Sequence, residues 1–437
     1  MKKVIKASDR GLTFSFKHKK FKIGSFYNYI VVPKSNKIYI IPTKEGLKVS
    51  KKKATIENNA LIDIRNKKIL RFTNKADKLG IQFKENSIVI TAFKDGKPYV
   101  TTEIASNNYE TLTQQIYKIV SLFSGCGMLD YPFHLDPNFE MVYAIDNELD
   151  ACKSYESNIS NHINNGSVCD VKGDEIPQAD ILIGGCPCKP FSNANRSNTR
   201  LENHDDSKLV LEYIRIVKEG NYKVFVMENV PELLTACNGD YFNAIKECLS
   251  EYKIEAKVLQ DCKFGGYTKR KRVFIVGSKI GDIEFVENIH EIYNTVGAAL
   301  SLVDSTWFNF EDKTIPKQST LDKIIHIPQG GNFKNIPEEL RGKGVHSNSY
   351  RRLELDKPSC TLTNFRKSQI LNPTEHRVIS VAEALAISGF KKPFSVLGKL
   401  SSKQQQVGNG VPFKLGEAIK NTVKRIFFNH ELEFYGV

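Results

Sequence analysis

The sequence predicts an α/β fold, a doubly wound and mostly parallel sheet preceded by a small basic β-rich domain, on three observations. From residue 117 onward, short apolar runs alternate with helix-like segments, the rhythm of strands crossing over through helices. Residues 8–100 hold instead short runs of alternating polarity, separated by glycine and asparagine, which read as a succession of strands. The third is the stretch Gly184-Gly185-Cys186-Pro187-Cys188-Lys189-Pro190-Phe191-Ser192, which follows the apolar run Ala179 to Ile183. It reads as a tight loop at the carboxyl end of a buried strand, where an open α/β sheet places its chemistry.

The bulk numbers bound the problem. At 437 residues, with 41% hydrophobic and 26% charged residues, the chain describes a globular protein of two or three domains. No apolar run approaches the ~18 residues of a membrane helix, so no membrane association and a cytoplasmic location are expected. The nine cysteines have no regular spacing. Cys186 and Cys188 lack a second pair to complete a zinc site, so free thiols and no metal are expected. The net charge of +14 is unevenly placed: residues 1–110 hold 24 Lys and Arg against 9 Asp and Glu. That excess reads either as the footprint of a polyanionic partner, with nucleic acid foremost, or as a lysine-rich solvated surface.

Within residues 1–110, Leu12-Phe14-Phe16, Ile38-Ile40 and Ile88-Ile90 alternate as strands do. Shifting the sequence by fifty positions lays Asn36-Lys37-Ile38-Tyr39-Ile40 on Asn86-Ser87-Ile88-Val89-Ile90, Lys44-Glu45-Gly46 on Lys94-Asp95-Gly96, and Lys17 on Lys67. This reads as an internal duplication or as chance likeness between two short hairpins. Each half resembles the swapped-hairpin DNA-binding modules of the AbrB type, which would make two copies in one chain a pseudo-dimer.

Residues 101–115 read as a polar linker. The α/β part then offers strands at Tyr117 to Phe123, Met141 to Ile145, Ile181 to Ile183, Val224 to Met227, Ile254 to Leu259 and Val273 to Val276. Helix-like segments include Leu209 to Lys218, Tyr241 to Tyr252 and Phe413 to Ile426. The first strand ends in Phe123-Ser124-Gly125-Cys126-Gly127, a G-x-G turn whose backbone can lie against a nucleoside-bearing ligand. Asp146 ends the second strand, placed to accept ribose hydroxyls or to cap a helix; Asp170, after a third turn, carries the same two readings.

Cys188 is the candidate nucleophile, because a thiolate is polarizable and reachable near neutral pH; the alternative is a buried structural cysteine. Glu228, in Met227-Glu228-Asn229-Val230-Pro231, reads as a proton donor if burial raises its pKa, or as an exposed cap. Arg270 and Arg272, in Lys269-Arg270-Lys271-Arg272, fall on one side of a strand by period-two geometry. They suit either a clamp on a base oxygen or phosphate, or a solvated basic edge.

Taken in order, SLFSGCGMLD, AIDNELDACKSYESN, GGCPCKPFS, MENVPEL, FGGYTKRKRVFIVG, RVISVAEALAISGF and QQQVGNGVPF resemble the motif series of the cytosine-5 DNA methyltransferases, from about Ile119 to the C-terminus. The resemblance implies a Rossmann-like doubly wound methyltransferase sheet with an irregular target-recognition region. With the basic β-rich residues 1–110 set apart by charge and texture, it divides the rest at 111–277 (catalytic), 278–376 (target recognition) and 377–437 (return to the catalytic domain). It places Phe123, Gly125, Gly127, Asp146, Asp170, Pro187, Leu209, Asn409 and Val411 at S-adenosylmethionine. Cys188 becomes the nucleophile toward cytosine carbon 6, Glu228 the acid at ring nitrogen 3, and Arg270 and Arg272 the paired arginines at the target base. Thr361-Leu362 resembles the recognition region's Thr-Leu signature.

Implied partners are double-stranded DNA, bound by a monomer, and a cognate restriction endonuclease of a restriction-modification or phage system. An RNA cytosine-5 methyltransferase and a non-catalytic DNA-binding regulator are the alternatives. Four positions depart from the family pattern: Lys189 for glutamine, Met128 for glycine, Thr268 for glutamine, and Gly410 for alanine or serine. None of them removes a catalytic atom.

Overall fold

The computed structural model describes residues 2–7, 11–17, 21–32, 37–43, 46–51, 60–65, 69, 76–84, 88–95, 97–98, 116–187, 205–287, 293–341 and 349–434. They form two compact units, residues 1–115 with 427–437, and residues 116–426.

Among the described residues the first unit has the strands β1 (Lys2–Lys6), β2 (Leu12–Phe16), β3 (Phe26–Val32), β4 (Lys37–Thr43), β5 (Leu47–Lys48), β6 (Ser50–Lys51), β7 (Ala60–Ile64), β8 (Lys78–Phe83), β9 (Ile88–Lys94) and β10 (Lys97–Pro98). One sheet runs β1-β8-β9-β4-β3-β5, with β10 paired to β9, and a second runs β2-β7-β6. The alternation seen in sequence buries one face: Leu12, Phe14, Ile38, Ile40, Ile62, Ile88 and Ile90 share a core. Two antiparallel pairs have telling registers. β2 meets β7 with Thr13 opposite Asp63, and β4 meets β9 with Tyr39 opposite Val89. Each ladder thus includes one pair of residues fifty positions apart. At the first of these the Thr13 hydroxyl donates to Asp63 Oδ1 at 2.6 Å.

The second unit carries the strands β11 (Tyr117–Leu122), β12 (Phe139–Asp146), β13 (Ile163–Asn165), β14 (Ile181–Gly185), β15 (Val224–Asn229), β16 (Lys253–Gln260) and β17 (Lys271–Ser278). They lie in the order β13-β12-β11-β14-β15-β17-β16. The pairs among β11 to β15 are parallel, whereas β17 runs antiparallel to both of its neighbours. Each residue of β15 is buried, as expected of a central strand covered on both faces.

The helices are α1 (Tyr131–His134), α2 (Leu149–Asn158), α3 (Asp205–Gly220), α4 (Asp240–Cys248), α5 (Val296–Leu300), α6 (Gln318–Ile324), α7 (Val381–Ile387), α8 (Leu400–Asn409) and α9 (Phe413–Phe434). Val210, Tyr213 and Val217 of α3, with Tyr241 and Ile245 of α4, pack against Val120, Leu122, Leu182, Phe225 and Met227 of the sheet. α7 is buried all round and begins at a reciprocal cap. Ser380 Oγ accepts from Glu383 N at 3.1 Å, and Glu383 Oε2 accepts from Ser380 N at 2.7 Å.

Between β17 and α7 the regular rhythm lapses; the strands named among the described residues there are the two-residue β18 (Arg351–Arg352) and β19 (Ile370–Leu371), which pair in parallel. A buried arginine organises this stretch. The Arg352 guanidinium donates to the carbonyls of Ile324 (2.9 Å), Ile327, Asn372 and Glu375 (each 2.6 Å). It supplies the cross-links that longer strands would otherwise provide.

Candidate active site

The order of the strands reverses between β11 and β14, so their carboxyl ends flank a crevice. The turn after β11 is held in an unusual shape. Phe123 has φ 53°, a left-handed value that costs a non-glycine residue energy, followed by Gly125 at 55° and Gly127 at 83°. Ser124 fixes it to β12: its N–H donates to the Ile145 carbonyl at 3.1 Å and its Oγ accepts from Ile145 N at 3.3 Å.

A Cβ on Gly125 would meet open space, whereas one on Gly127 would strike Tyr155 and Ile159. The two glycines therefore do different work, Gly125 facing the crevice and Gly127 packing on α2. Asp146 sits behind the turn. Its Oδ2 accepts from Gly125 N at 2.8 Å and its Oδ1 from Glu148 N at 2.9 Å, and burial raises its pKa against these bonds. Each oxygen keeps a second lone pair for a hydroxyl donor.

Other residues expected at the cofactor fall on the same unit. Asp170 ends a one-turn helix, Val168–Asp170, and is exposed; the cap there is Ser167, whose Oγ accepts from Cys169 N, so the Asp170 carboxylate is not spent on capping. Leu209 lies half-buried on α3, Asn409 exposed at the end of α8, and Val411 is buried just beyond it. Pro187 follows β14 and is half-buried. Cys188 and Lys189 lie outside the described residues.

The acid is well defined. Glu228 stands opposite Gly185 across the β14–β15 pair, and a Cβ on Gly185 would come within 2.9 Å of Glu228 Oε2. The missing side chain thus makes room for the carboxylate, three residues before Cys188. Arg272 Nε lies 2.8 Å from Glu228 Oε1. Burial pushes the Glu228 pKa up, opposed by Arg272 first and Arg270 second. Asn229, unremarked in sequence, donates from Nδ2 to the Cys186 carbonyl at 3.3 Å, tying the cysteine loop to β15. Its only sequence signal was adjacency to Glu228.

Arg270 is 3% exposed and works differently from Arg272. Its guanidinium donates to the carbonyls of Leu362 and, at 3.0 Å, Asn409. Thr268 prepares it: Asp261 Oδ2 accepts from Thr268 N at 3.0 Å and Oγ1 at 2.9 Å, while Thr268 Oγ1 accepts from Arg270 N at 3.3 Å. Lys269 N donates to Ser359 O, and Ser359 N to Tyr267 O, each at 2.8 Å. The arginine segment is thereby stitched to the stretch Ser359 to Leu362. A Cβ on Gly408 would strike the Thr363 carbonyl, so α8 approaches the same stretch closely.

The sheet order with its reversal between β11 and β14, and the glycine turn and buried carboxyl at its strand ends, fit the Rossmann-like methyltransferase fold. The family profile described as C-5 cytosine-specific DNA methylase matches residues 117–425, and the chain belongs to that family as a DNA (cytosine-5)-methyltransferase. It is 32% identical over 328 residues to the type II methyltransferase M1.HphI of Haemophilus parahaemolyticus, covering 71% of this chain and 87% of that one. To M.NgoFVII of Neisseria gonorrhoeae it is 33% identical over 317 residues, covering 68% and 83%. The fold matches that of the Entamoeba histolytica methyltransferase EhMeth with a TM-score of 0.56 at 16% identity, covering 72% of this chain and 99% of that one.

Proposed function

We propose that the chain uses S-adenosylmethionine to methylate carbon 5 of a cytosine flipped out of duplex DNA, with Cys188 as nucleophile. The observation that carries this reading is the Glu228–Arg272 pair at 2.8 Å beside Gly185, three positions before Cys188 in sequence. When bound, S-adenosylmethionine supplies a methyl group on an electron-poor sulfonium. The open face of Gly125 and the free lone pairs of Asp146 fit its nucleoside.

The Cys188 thiolate adds to carbon 6 while the Glu228 carboxyl places its proton at nitrogen 3, so the electron pair reaches carbon 5 as an enamine. Carbon 5 takes the methyl group, then loses its proton, and the thiolate leaves as the ring double bond returns. Carbon 5 is inaccessible within the base stack, so flipping must precede addition. Lys269 and Arg351 line a cleft with Glu354, Cys360 and Thr361, and suit DNA phosphates beside the flipped base.

Transfer of labelled methyl to duplex DNA by the intact protein, lost in Cys188→Ala, tests the reading. Transfer to tRNA in preference to duplex DNA would redirect it to RNA, and DNA retention without transfer would make the chain a binding protein. The type II relatives support a role in restriction-modification; a cognate endonuclease, action as a monomer and a cytoplasmic location are part of the same proposal. Among the described residues no helix is long and apolar enough to cross a membrane.

We infer further that residues 1–110 add DNA affinity. Support comes from the 24 basic against 9 acidic residues and from the two strand pairs that each align residues fifty positions apart. Phosphate contacts release counterions, so the affinity this segment adds falls steeply with salt. Deleting residues 1–110 should weaken DNA binding at low salt; unchanged affinity would refute the inference.

A further inference from the structure

Two of the four departures from the family pattern, Met128 and Gly410, meet in space. Gly410 has φ −62° and ψ 158°, a conformation open to any residue, so its lack of a side chain serves room and not backbone geometry. A Cβ there would run into the Met128 sulfur, with Cε 2.8 Å and Cγ 3.0 Å away. Met128 itself is 2% exposed and shares a core with Leu362, Phe365 and Val407. The space a side chain at 410 would occupy is filled by Met128.

We propose that Met128 is a positioning residue for the cofactor pocket, its thioether setting the distance between the Phe123–Gly127 turn and the Asn409–Val411 loop. The inference rests on the reading of that pocket as the S-adenosylmethionine site. Neighbouring contacts extend its reach. The Asn409 carbonyl, one residue from the packed glycine, accepts from Arg270 Nη2 at 3.0 Å. Arg270 in turn lies two residues before Arg272, which holds Glu228. The contact therefore stands at the head of a short chain of packed and hydrogen-bonded groups from the cofactor turn to the acid. A flexible thioether fills an irregular gap without a fixed rotamer demand, which suits this place.

The test is a double-variant cycle on the full-length protein, using Gly410→Ala, Met128→Gly and both together. Dissociation constants for S-adenosylhomocysteine are read by calorimetry, and thermal unfolding is followed without ligand. Overpacking by Gly410→Ala should weaken binding by about tenfold or more, and the gap left by Met128→Gly by roughly threefold to tenfold. The combined variant should return to within about threefold of the parent, because a methyl at 410 then occupies the space the methionine leaves.

Multiplying losses in the combined variant would overturn the inference. So would an unfolding shift in the single variants with unchanged dissociation constants, which marks a structural contact only. If Gly410→Ala does not fold, the combined variant must fold and bind, and its failure overturns the inference too. A parent protein that binds no S-adenosylhomocysteine would sink the cofactor reading; a binding parent with multiplicative losses sinks only the role of Met128.

Discussion

Arg272 Nε lies 2.8 Å from Glu228 Oε1, and both side chains are largely withdrawn from water. The pair balances two demands on one carboxyl. Burial favours the protonated form that can serve nitrogen 3 of cytosine, and the guanidinium restrains that shift so the group can still ionise. Removing Arg272 takes away the opposing cation, so the Glu228 pKa rises further. In Arg272→Ala, the alkaline limb of the single-turnover rate, which reports loss of the Glu228 proton, should move to higher pH while the maximum rate falls. A pH profile at saturating DNA checks both; an unmoved limb would separate the two residues.

Glu228→Gln keeps the shape and removes the transferable proton. Methyl transfer should fall by roughly 10²–10⁴-fold, the usual worth of a positioned acid, with S-adenosylhomocysteine binding nearly unchanged. Single-turnover kinetics beside calorimetry makes the comparison.

Arg270→Ala should act mainly on stability and loop position. It leaves the buried carbonyl of Leu362 and the part-buried one of Asn409 without this donor, a loss of about 1–3 kcal/mol carried mainly by the first. Urea unfolding measures it, and Arg270→Lys should recover only part, because an ammonium lacks the planar fork.

Asp130 gives a pH dependence of stability. It is 1% exposed, and burial raises its pKa from 3.8 to about 7 in spite of hydrogen bonds from Ser121 and Tyr155. The folded state therefore keeps a proton that the unfolded chain releases, and stability falls as pH rises from about 4 to 7, staying low above that. Asp130→Asn should flatten this slope and stabilise the protein at pH 8 by on the order of 2 kcal/mol. Denaturation midpoints at pH 5 and pH 8 check the sign; an unchanged slope would exclude Asp130 as its source.

The strands of the α/β unit were legible because a buried parallel sheet writes itself as apolar runs; the predicted run Val224 to Met227 lies inside β15, Val224–Asn229. Strand order was not, since no local pattern says that β17 enters antiparallel between β15 and β16. Period-two spacing put Arg270 and Arg272 on one side, yet it could not divide their work. That division comes from Leu362 and Asn409, which are 92 and 139 positions away in sequence from Arg270. The left-handed Phe123 was equally hidden, for phenylalanine gives no hint of a positive φ. The Met128–Gly410 contact needed both chain segments in place before two separate oddities became one.

The central claim is a transient bond between the Cys188 sulfur and carbon 6 of the target cytosine. Fluorine at carbon 5 cannot leave as a proton does, so duplex carrying 5-fluorocytosine at the methylated position should stop the reaction after methyl transfer. Incubated with S-adenosylmethionine, the protein should become covalently fixed to that duplex, with the modified peptide containing Cys188 and no adduct in Cys188→Ala. An active preparation that methylates the ordinary duplex yet yields no adduct with the fluorinated one would contradict the account.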